Sequence, residues 1–207
     1  MVKTDVTTVD SKTAIFEAAA REIAESSYEA ARVDSIAKKA GVNKAMIYYH
    51  FQSKLGLHLA ILRDMFGAVG ARVKPIAEGG GGAAVKLDAW IETIVEEASA
   101  RPWFPPIMLR EVASGGERLD PDTLAAMQDV YGALRKIIAQ GQRDGVFRAV
   151  DPLLAQLTIL PPILVFLARE RLVARQDASV ELLEPRRLDA FVTHLQDAAR
   201  RMLRKNT

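Results

Sequence analysis

The chain has 207 residues and a formal net charge of +2, with 49% hydrophobic and 26% charged residues. This composition is typical of a globular protein with one large or two small domains, and the balanced charge alone identifies no partner. The absence of cysteine excludes disulfides, thiolate zinc sites and thiol catalysis, and it agrees with a cytoplasmic location.

The first part of the chain is predicted to be helical. No segment shows sustained alternation of β-branched or aromatic residues with polar ones, so we expect an all-α fold of about nine helices and essentially no sheet. Ser11 is a candidate N-cap for the first helix, and the fourth helix is expected to end at or before Pro75. The predicted helices cover residues 11–25, 32–40, 44–50 and 53–73.

A run of four glycines after Glu78 interrupts the helical pattern, because each glycine in a helix costs about 1 kcal/mol relative to alanine. An acidic residue followed by proline is predicted to open each of the last three helices, at Asp120, Asp151 and Glu184. Beyond the glycines we predict helices over residues 84–100, 103–114, 121–143, 152–174 and 185–203.

The longest uncharged run, residues 152–168, falls short of the roughly 20 residues that a transmembrane helix needs. We therefore expect a buried helix, kinked or broken at Pro161-Pro162, and no membrane segment. The first ten residues lack the apolar stretch of a signal peptide.

Residues 33–51 carry the pattern of two short helices joined by a sharp turn. Ala37 is small enough for a close helix crossing, and Gly41 can adopt the positive φ that the turn requires. Asn43 is a good N-cap for the second helix. From Ser35 to Arg63 the chain has basic residues but no acidic one, which favours a surface that faces a polyanion. Together these features predict a helix-turn-helix, whose second helix enters the major groove of DNA.

A wider stretch, roughly residues 12–62, resembles the N-terminal domain of the tetracycline repressor (TetR) family. The resemblance rests on Tyr28 after the first helix, on the block Ile-Ala-x-x-Ala-Gly-Val at residues 36–42, and on Tyr48 and Phe51 followed by Ser53-Lys54. It implies a homodimer that binds a palindromic operator in double-stranded DNA, usually as a repressor that a small-molecule effector releases.

The resemblance also implies which residues contact DNA. We expect Tyr48, His50 and Lys54 to bind phosphates, and Ala45, Met46 and Tyr49 to face base edges, the first two only through apolar contacts. Lys44 can reach a guanine or a phosphate. As alternatives, one tyrosine packs against the first helix, or His50 is solvated without a role. The full candidate set is Arg32, Lys44, Ala45, Met46, Tyr48, Tyr49, His50 and Lys54.

Two positions depart from the family pattern. Ser27 stands where relatives have a helix-ending glycine, at an expected cost of about 1 kcal/mol. Ala31 stands where relatives have the Ser or Thr that caps the second helix, so a phosphate contact is lost and Arg32 is a candidate to replace it. Asp34 keeps the acidic partner of that capping box.

The C-terminal half resembles the family less closely, mainly at residues 141–148 followed by Asp151-Pro152. By that resemblance the helices over 152–174 and 185–203 form a four-helix bundle with a second subunit. Each carries an apolar stripe, formed by Leu153, Leu157, Leu160, Leu164 and Leu167 and by Phe191, Leu195, Ala198 and Met202.

An effector cavity is expected among the helices over 84–100, 103–114 and 121–143. Arg110 and Glu111 either add polarity to it or form an exposed pair. Its candidate wall residues, each of which is otherwise ordinary core, are Trp90, Trp103, Phe104, Met108, Met127 and Tyr131.

The sequence thus predicts a DNA-binding domain over residues 1–52, a connecting helix over 53–78, and a ligand-binding and dimerisation domain over 83–207. An enzyme is disfavoured, because the three histidines are far apart and no phosphate loop, dinucleotide motif or nucleophile elbow occurs. No metal or cofactor is expected. Two alternatives stay open, a transcriptional activator of the same fold and a helical ligand-binding protein that does not bind DNA.

Overall fold

The computed structural model describes residues 5–176 and 183–205, with the side chains of residues 5–9, Arg171 and Ala174 left aside. These residues form ten helices: α1 (Asp5–Ser26), α2 (Val33–Ala40), α3 (Lys44–Phe51), α4 (Lys54–Glu78), α5 (Ala83–Ser99), α6 (Phe104–Ala113), α7 (Pro121–Arg143), α8 (Pro152–Ala168), α9 (Glu170–Gln176) and α10 (Pro185–Leu203). The all-α prediction is confirmed. The count exceeds nine because the helix predicted over 152–174 is divided into α8 and α9.

Helix α4 joins the two halves of the molecule. Its 25 residues extend over about 37 Å at 1.5 Å per residue. Near its start, the buried side chains Leu57 and Ile61 belong to a core shared with α1 and α3. Towards its end, Val69 and Val73 lie in the core against α5 and α7. The short helices at the N-terminus therefore sit on one end of a helix whose other end is built into the larger C-terminal half.

Four of the predicted helix starts are confirmed by capping contacts, whereas Glu184 precedes α10 as predicted but makes no side-chain capping bond. The Asn43 side chain accepts a hydrogen bond from Ala45 N–H at 2.8 Å, and that of Ser53 accepts one from Gly56 N–H at 2.9 Å. Asp120 and Asp151 cap α7 and α8 in the same way, through Thr123 N–H and Leu153 N–H. Each cap supplies an acceptor for an N–H that has no partner inside its own helix.

Ser11 does not cap the first helix. Helix α1 already includes Asp5, so Ser11 lies inside it, and its Oγ is 2.9 Å from His50 Nε2 on α3. The N-cap residue of α2 is Arg32, one residue after the predicted position at Ala31, which is buried. With the cap one residue later, Asp34 no longer stands at the third helical position that a capping box requires.

The prolines interrupt the helices less than predicted. Helix α4 continues through Pro75 to Glu78, and α8 continues through Pro161-Pro162 to Ala168, so the break lies at Arg169 instead. Each proline leaves the carbonyl four residues before it without a partner. Those carbonyls belong to Ala71, Leu157 and Thr158, which are all exposed, so solvent can satisfy them.

In residues 5–176 and 183–205, the one β-type contact is an isolated bridge between Phe147 and Arg204. Among the same residues, no helix combines the length and the apolar character that crossing a bilayer would require.

Candidate DNA-binding surface and effector cavity

The turn between α2 and α3 has the predicted geometry. Gly41 adopts the left-handed conformation with a φ of 68°, and the Val42 N–H donates to the Ala37 carbonyl at 3.0 Å. A Cβ on Gly41 would meet no atom within 4 Å, so its backbone conformation, and not space, favours glycine here. Ala37 is buried at the crossing. The helix-turn-helix prediction is confirmed at this level.

Helix α3 is divided into a buried and an exposed face. Ile47 and Phe51 face the core, as predicted. Tyr48 is 45% exposed and Tyr49 is 74% exposed, so neither is sequestered against α1. Of the other candidates for base edges, Ala45 is exposed and Met46 is half-buried.

Two polar candidates on α3 are already held by protein groups. Lys44 Nζ lies 2.9 Å from Asp34 Oδ1 on α2, and this contact raises the pKa of Lys44. His50, half-buried, is held by Ser11 and packs its ring against Tyr49 at a centroid distance of 5.0 Å. Both side chains are therefore oriented before any DNA is bound, and Lys44 would have to exchange a carboxylate for a base or a phosphate.

The remaining polar candidates lie at helix starts. Arg32 is exposed at the start of α2 and makes no side-chain capping bond. Lys54, at the first position of α4, donates to the Glu29 carbonyl at 3.3 Å, and its Nζ lies 4.5 Å from the centre of the Tyr28 ring. Ser27 has a positive φ of 134°, as its position in place of a glycine predicted.

One residue that positions this surface was missed by the sequence analysis. A Cβ on Gly56 would lie 2.2 Å from the Phe51 carbonyl oxygen, so only glycine lets the start of α4 approach the end of α3 this closely. Gln52, between these helices, has a φ of 65°. The sequence holds no signal specific to Gly56, because Gly67 in the same helix stands in open space with nothing within 4 Å of its Cβ position.

The C-terminal half contains an apolar cavity of about 230 Å³ between α4, α5, α6, α7 and α8. Of the predicted wall residues, Phe104, Met108 and Met127 line it. Trp90 is fully buried in the core elsewhere, Trp103 packs edge-on against Phe16 of α1, and Tyr131 does not contribute to the wall.

The predicted apolar stripe of α8 has three different environments. Leu153 and Leu157 are exposed, Leu160 and Leu164 line the cavity, and Leu167 is buried. On α10, Leu195 is buried, Phe191 and Met202 are half-buried and Ala198 is exposed. Within residues 5–176 and 183–205, the exposed part of the two stripes is therefore the outer face of α8, which Leu154 and Val165 extend.

Helix α6 carries the cavity wall on one side and contacts the DNA-binding half on the other. Arg110 Nη1 donates to the Ile23 and Ala24 carbonyls, at 3.1 and 3.0 Å, close to the end of α1 where carbonyls lack helical partners. Glu111 Oε1 lies 2.9 Å from His58 Nε2 of α4. The two residues do not pair with each other, and neither lines the apolar cavity, but both line a second cavity of about 320 Å³ beside Tyr28 and His58.

The contact between His58 and Glu111 is buried. Both side chains are almost wholly inaccessible, and burial lowers the pKa of His58 because it disfavours the imidazolium more than Glu111 stabilises it. The Tyr28 ring lies against His58 at a centroid distance of 5.0 Å, and Arg118 lies over the same ring. Arg118 also pairs with Glu29. These residues form a junction between α1, α4 and α6.

Comparison with known proteins agrees with this geometry. The family model described as bacterial regulatory proteins of the tetR family matches residues 15–61, which hold the helix-turn-helix. The regulator RutR of Escherichia coli O157:H7 is 25% identical over 141 residues, and that match spans 68% of this chain and 66% of RutR. The repressor NicS of Pseudomonas putida is 23% identical over 193 residues, which cover 92% of this chain and 91% of NicS.

The fold agrees beyond the matched domain. The crystal structure of PfmR, a TetR family regulator from Thermus thermophilus, is similar with a TM-score of 0.71 and 26% identity, covering 92% of this chain and 99% of PfmR. The N-terminal helices, the exposed face of α3 and the helical C-terminal half therefore agree with one family: residues 15–61 match the tetR family model, and the chain as a whole is similar to helix-turn-helix transcriptional regulators of the TetR family.

Proposed function

We propose that the chain is a homodimeric repressor that binds a palindromic operator and is released from it by a small-molecule effector. Residues 1–52 would contact DNA, α4 would connect the halves over residues 53–78, and residues 83–207 would bind the effector and dimerise. The observation that carries the proposal is the outward face of α3, where Tyr49 is 74% exposed two residues after the buried Ile47. Single exposed apolar residues are common on protein surfaces, but Tyr49 stands beside the exposed Tyr48 and Ala45 on the second helix of a helix-turn-helix, the helix that enters the major groove.

Base contacts are assigned to Ala45, Met46 and Tyr49, and phosphate contacts to Tyr48, His50, Lys54 and Arg32. Lys44 serves either. The arrangement supports this division because His50 and Lys54 are fixed by their contacts with Ser11 and with the Tyr28–Glu29 segment, as positioning residues require. Tyr49 lies four residues after Ala45, so the two share one face of α3, and Ala45 belongs to the first turn, where a recognition helix meets base edges.

Dimerisation is assigned to the outer face of α8. Leu154 and Leu157 are 59% and 58% exposed, and Leu153 and Val165 add to the same apolar surface. A second copy of this surface, related by a two-fold axis, would bury it and set two recognition helices one DNA turn apart, about 34–36 Å.

Repression and release are supported by different observations. NicS, similar to this chain over 92% of its length, is a repressor. Release is supported by α6, because Phe104 and Met108 on its cavity side are only a few residues from Arg110 and Glu111 on its DNA-binding side. A ligand that displaces α6 would therefore disturb α1 and α4 together.

The test is a gel-shift assay with duplexes selected by the protein from a random pool. We expect one palindromic sequence to be enriched, and its affinity to fall by about 10³-fold or more between 50 and 200 mM salt, as for proteins with six or more phosphate contacts. Tyr49→Ala should weaken binding to the selected sequence by at least about tenfold. Val85→Ala, at a 69% exposed position on α5, is the matched control and should bind normally.

Absence of any enriched sequence, with the protein folded, would leave a helical ligand-binding protein as the better description. Enrichment of a site without two-fold symmetry, or a monomer in sedimentation at micromolar concentration, would reject the dimer. Leu154→Glu tests the assigned surface, and it should convert the dimer to monomer because it places a charge in an apolar interface.

A further inference from the structure

The cavity described above has an unusually uniform wall. Among the described residues that line it, Gln156 is the one polar side chain, and none is charged. The others are aliphatic, aromatic or thioether side chains from α4 to α8: Met65, Phe66, Val69, Ile94, Ala98, Phe104, Met108, Leu109, Val112, Met127, Val130, Leu157, Leu160, Pro161 and Leu164. A charged ligand group placed here would lose its hydration without gaining an opposite charge.

The cavity is also small. Its volume of about 230 Å³ lies below the 300–1,000 Å³ that drug-sized ligands occupy. It exceeds the roughly 150 Å³ of an apolar protein cavity that accepts benzene. A molecule with about two fused rings, or an aliphatic molecule of similar volume, fits between these limits. Met65, Met108 and Met127 can adjust their side chains to its shape.

The position of Gln156 gives the ligand one polar contact. It lies on α8, half-buried, next to Leu157 in the wall. Its amide can both donate and accept a hydrogen bond, so it suits a hydroxyl, a carbonyl or a ring N–H. The entrance is marked by Val112 of α6, which at 63% is the most exposed wall residue and lies outside the α8 face assigned to the dimer. A ligand would therefore enter beside α6, the helix that contacts the DNA-binding half.

We infer that the effector is a compact, uncharged and mainly apolar molecule that makes one hydrogen bond, to Gln156. This inference rests on the proposed function, since it identifies the chemical class of the effector in that function. It excludes carboxylates, phosphates and ammonium ions from the cavity. The ligand acts where α6 and α8 both contribute to the wall, so filling the cavity can be transmitted to the DNA-binding half and to the dimer.

The test uses the full chain and three probes of one shape, namely naphthalene, 2-naphthol and 2-naphthoate, in isothermal titration calorimetry. We expect 2-naphthol to bind about fivefold to tenfold more tightly than naphthalene, because of the hydrogen bond to Gln156. 2-Naphthoate should bind at least about a hundredfold more weakly than 2-naphthol. In Gln156→Leu the preference for 2-naphthol over naphthalene should disappear.

A second variant tests the location. Leu160→Trp should fill the cavity and abolish binding of both neutral probes, whereas Val85→Trp, at an exposed position on α5, should leave it unchanged. Equal or tighter binding of 2-naphthoate overturns the inference, as does failure of both neutral probes to bind, or unaltered binding by Leu160→Trp. A gel shift with the selected operator and no probe, measured in parallel, tests the proposed function independently of the probe series. An intact gel shift with a failed probe series therefore rejects the effector class alone.

Discussion

Acidification is expected to destabilise this protein through His58. The side chain is fully buried on α4, with its Nε2 2.9 Å from Glu111 Oε1 on α6. Burial lowers the pKa of His58, and this outweighs the attraction of Glu111. Of the charges on the neighbouring loops, Arg118 lowers the same pKa further and Glu29 raises it. His58 is therefore a neutral group in the folded chain near neutral pH.

The direction and size of the effect follow from linkage. Because the pKa of His58 is lower in the folded chain, the unfolded chain binds the proton more readily. The stability that this group contributes is complete above its unfolded pKa of about 6.5 and is lost as the pH falls towards the folded pKa. Between pH 7.5 and 5.5 the free energy of unfolding should fall, and the loss from His58 has an upper limit of about 1.4 kcal/mol, reached when the folded histidine stays neutral over this whole range.

Urea unfolding at pH 7.5, 6.5 and 5.5, at one protein concentration, measures this loss. In His58→Gln the free energy of unfolding should fall less between pH 7.5 and 5.5 than in the wild type, because the contribution of His58 is absent. The matched control is His194→Gln, which removes an exposed histidine of α10 and should keep the wild-type decline. If His58→Gln declines as steeply as the wild type, or if the wild type gains stability towards pH 5.5, then His58 is protonated beside Glu111 and the reasoning is wrong.

Three further predictions concern the backbone and the junction. Gly41→Ala should lower the free energy of unfolding by about 1–2 kcal/mol, because alanine is strained at a φ of 68°. The control is Gly67→Ala, in open space within α4, which should raise the free energy of unfolding by up to about 1 kcal/mol. Urea titration measures both changes. Gly56→Ala should lower both the stability of the fold and the affinity for the operator, because its Cβ would lie 2.2 Å from the Phe51 carbonyl oxygen. A thermal unfolding midpoint equal to that of the wild type would contradict the close contact between the start of α4 and the end of α3. Arg110→Met should lower the free energy of unfolding by about 1 kcal/mol, because it loses the hydrogen bonds to the Ile23 and Ala24 carbonyls. If a bound neutral probe still releases this variant from the operator as it releases the wild type, α6 does not transmit the signal through Arg110.

The helix-turn-helix could be predicted because its determinants are local. Gly41 is four residues after Ala37, and Asn43 caps a helix whose first N–H groups are two residues away. Such contacts depend on backbone conformation within a few residues, which sequence patterns describe well. The same holds for Asp120 and Asp151, which each open a helix at the proline that follows.

The contacts that the sequence did not predict are those between distant segments. Ser11 meets His50 across 39 positions, and His58 meets Glu111 across 53. Neither pairing has a local signal, because the first depends on how α1 packs against α3 and the second on how α4 packs against α6. The cavity wall was mispredicted for the same reason. Trp90 and Trp103 were chosen because they are aromatic, but helix packing places Trp90 in the core and Trp103 against Phe16.

The contacts that join α6 and the loop after it to the DNA-binding half have a total interaction energy suited to regulation. Arg110 holds two carbonyls of α1, Glu111 holds His58, and Arg118 holds Glu29. At roughly 1 kcal/mol for each such contact, the set contributes a few kcal/mol, and exposed pairs such as Arg118 with Glu29 contribute less. This matches the 1–3 kcal/mol that couples two sites in typical allosteric proteins. In the proposed function, a ligand in the cavity would therefore have to break only part of this set to weaken operator binding by one to two orders of magnitude, and neither half of the molecule would have to unfold.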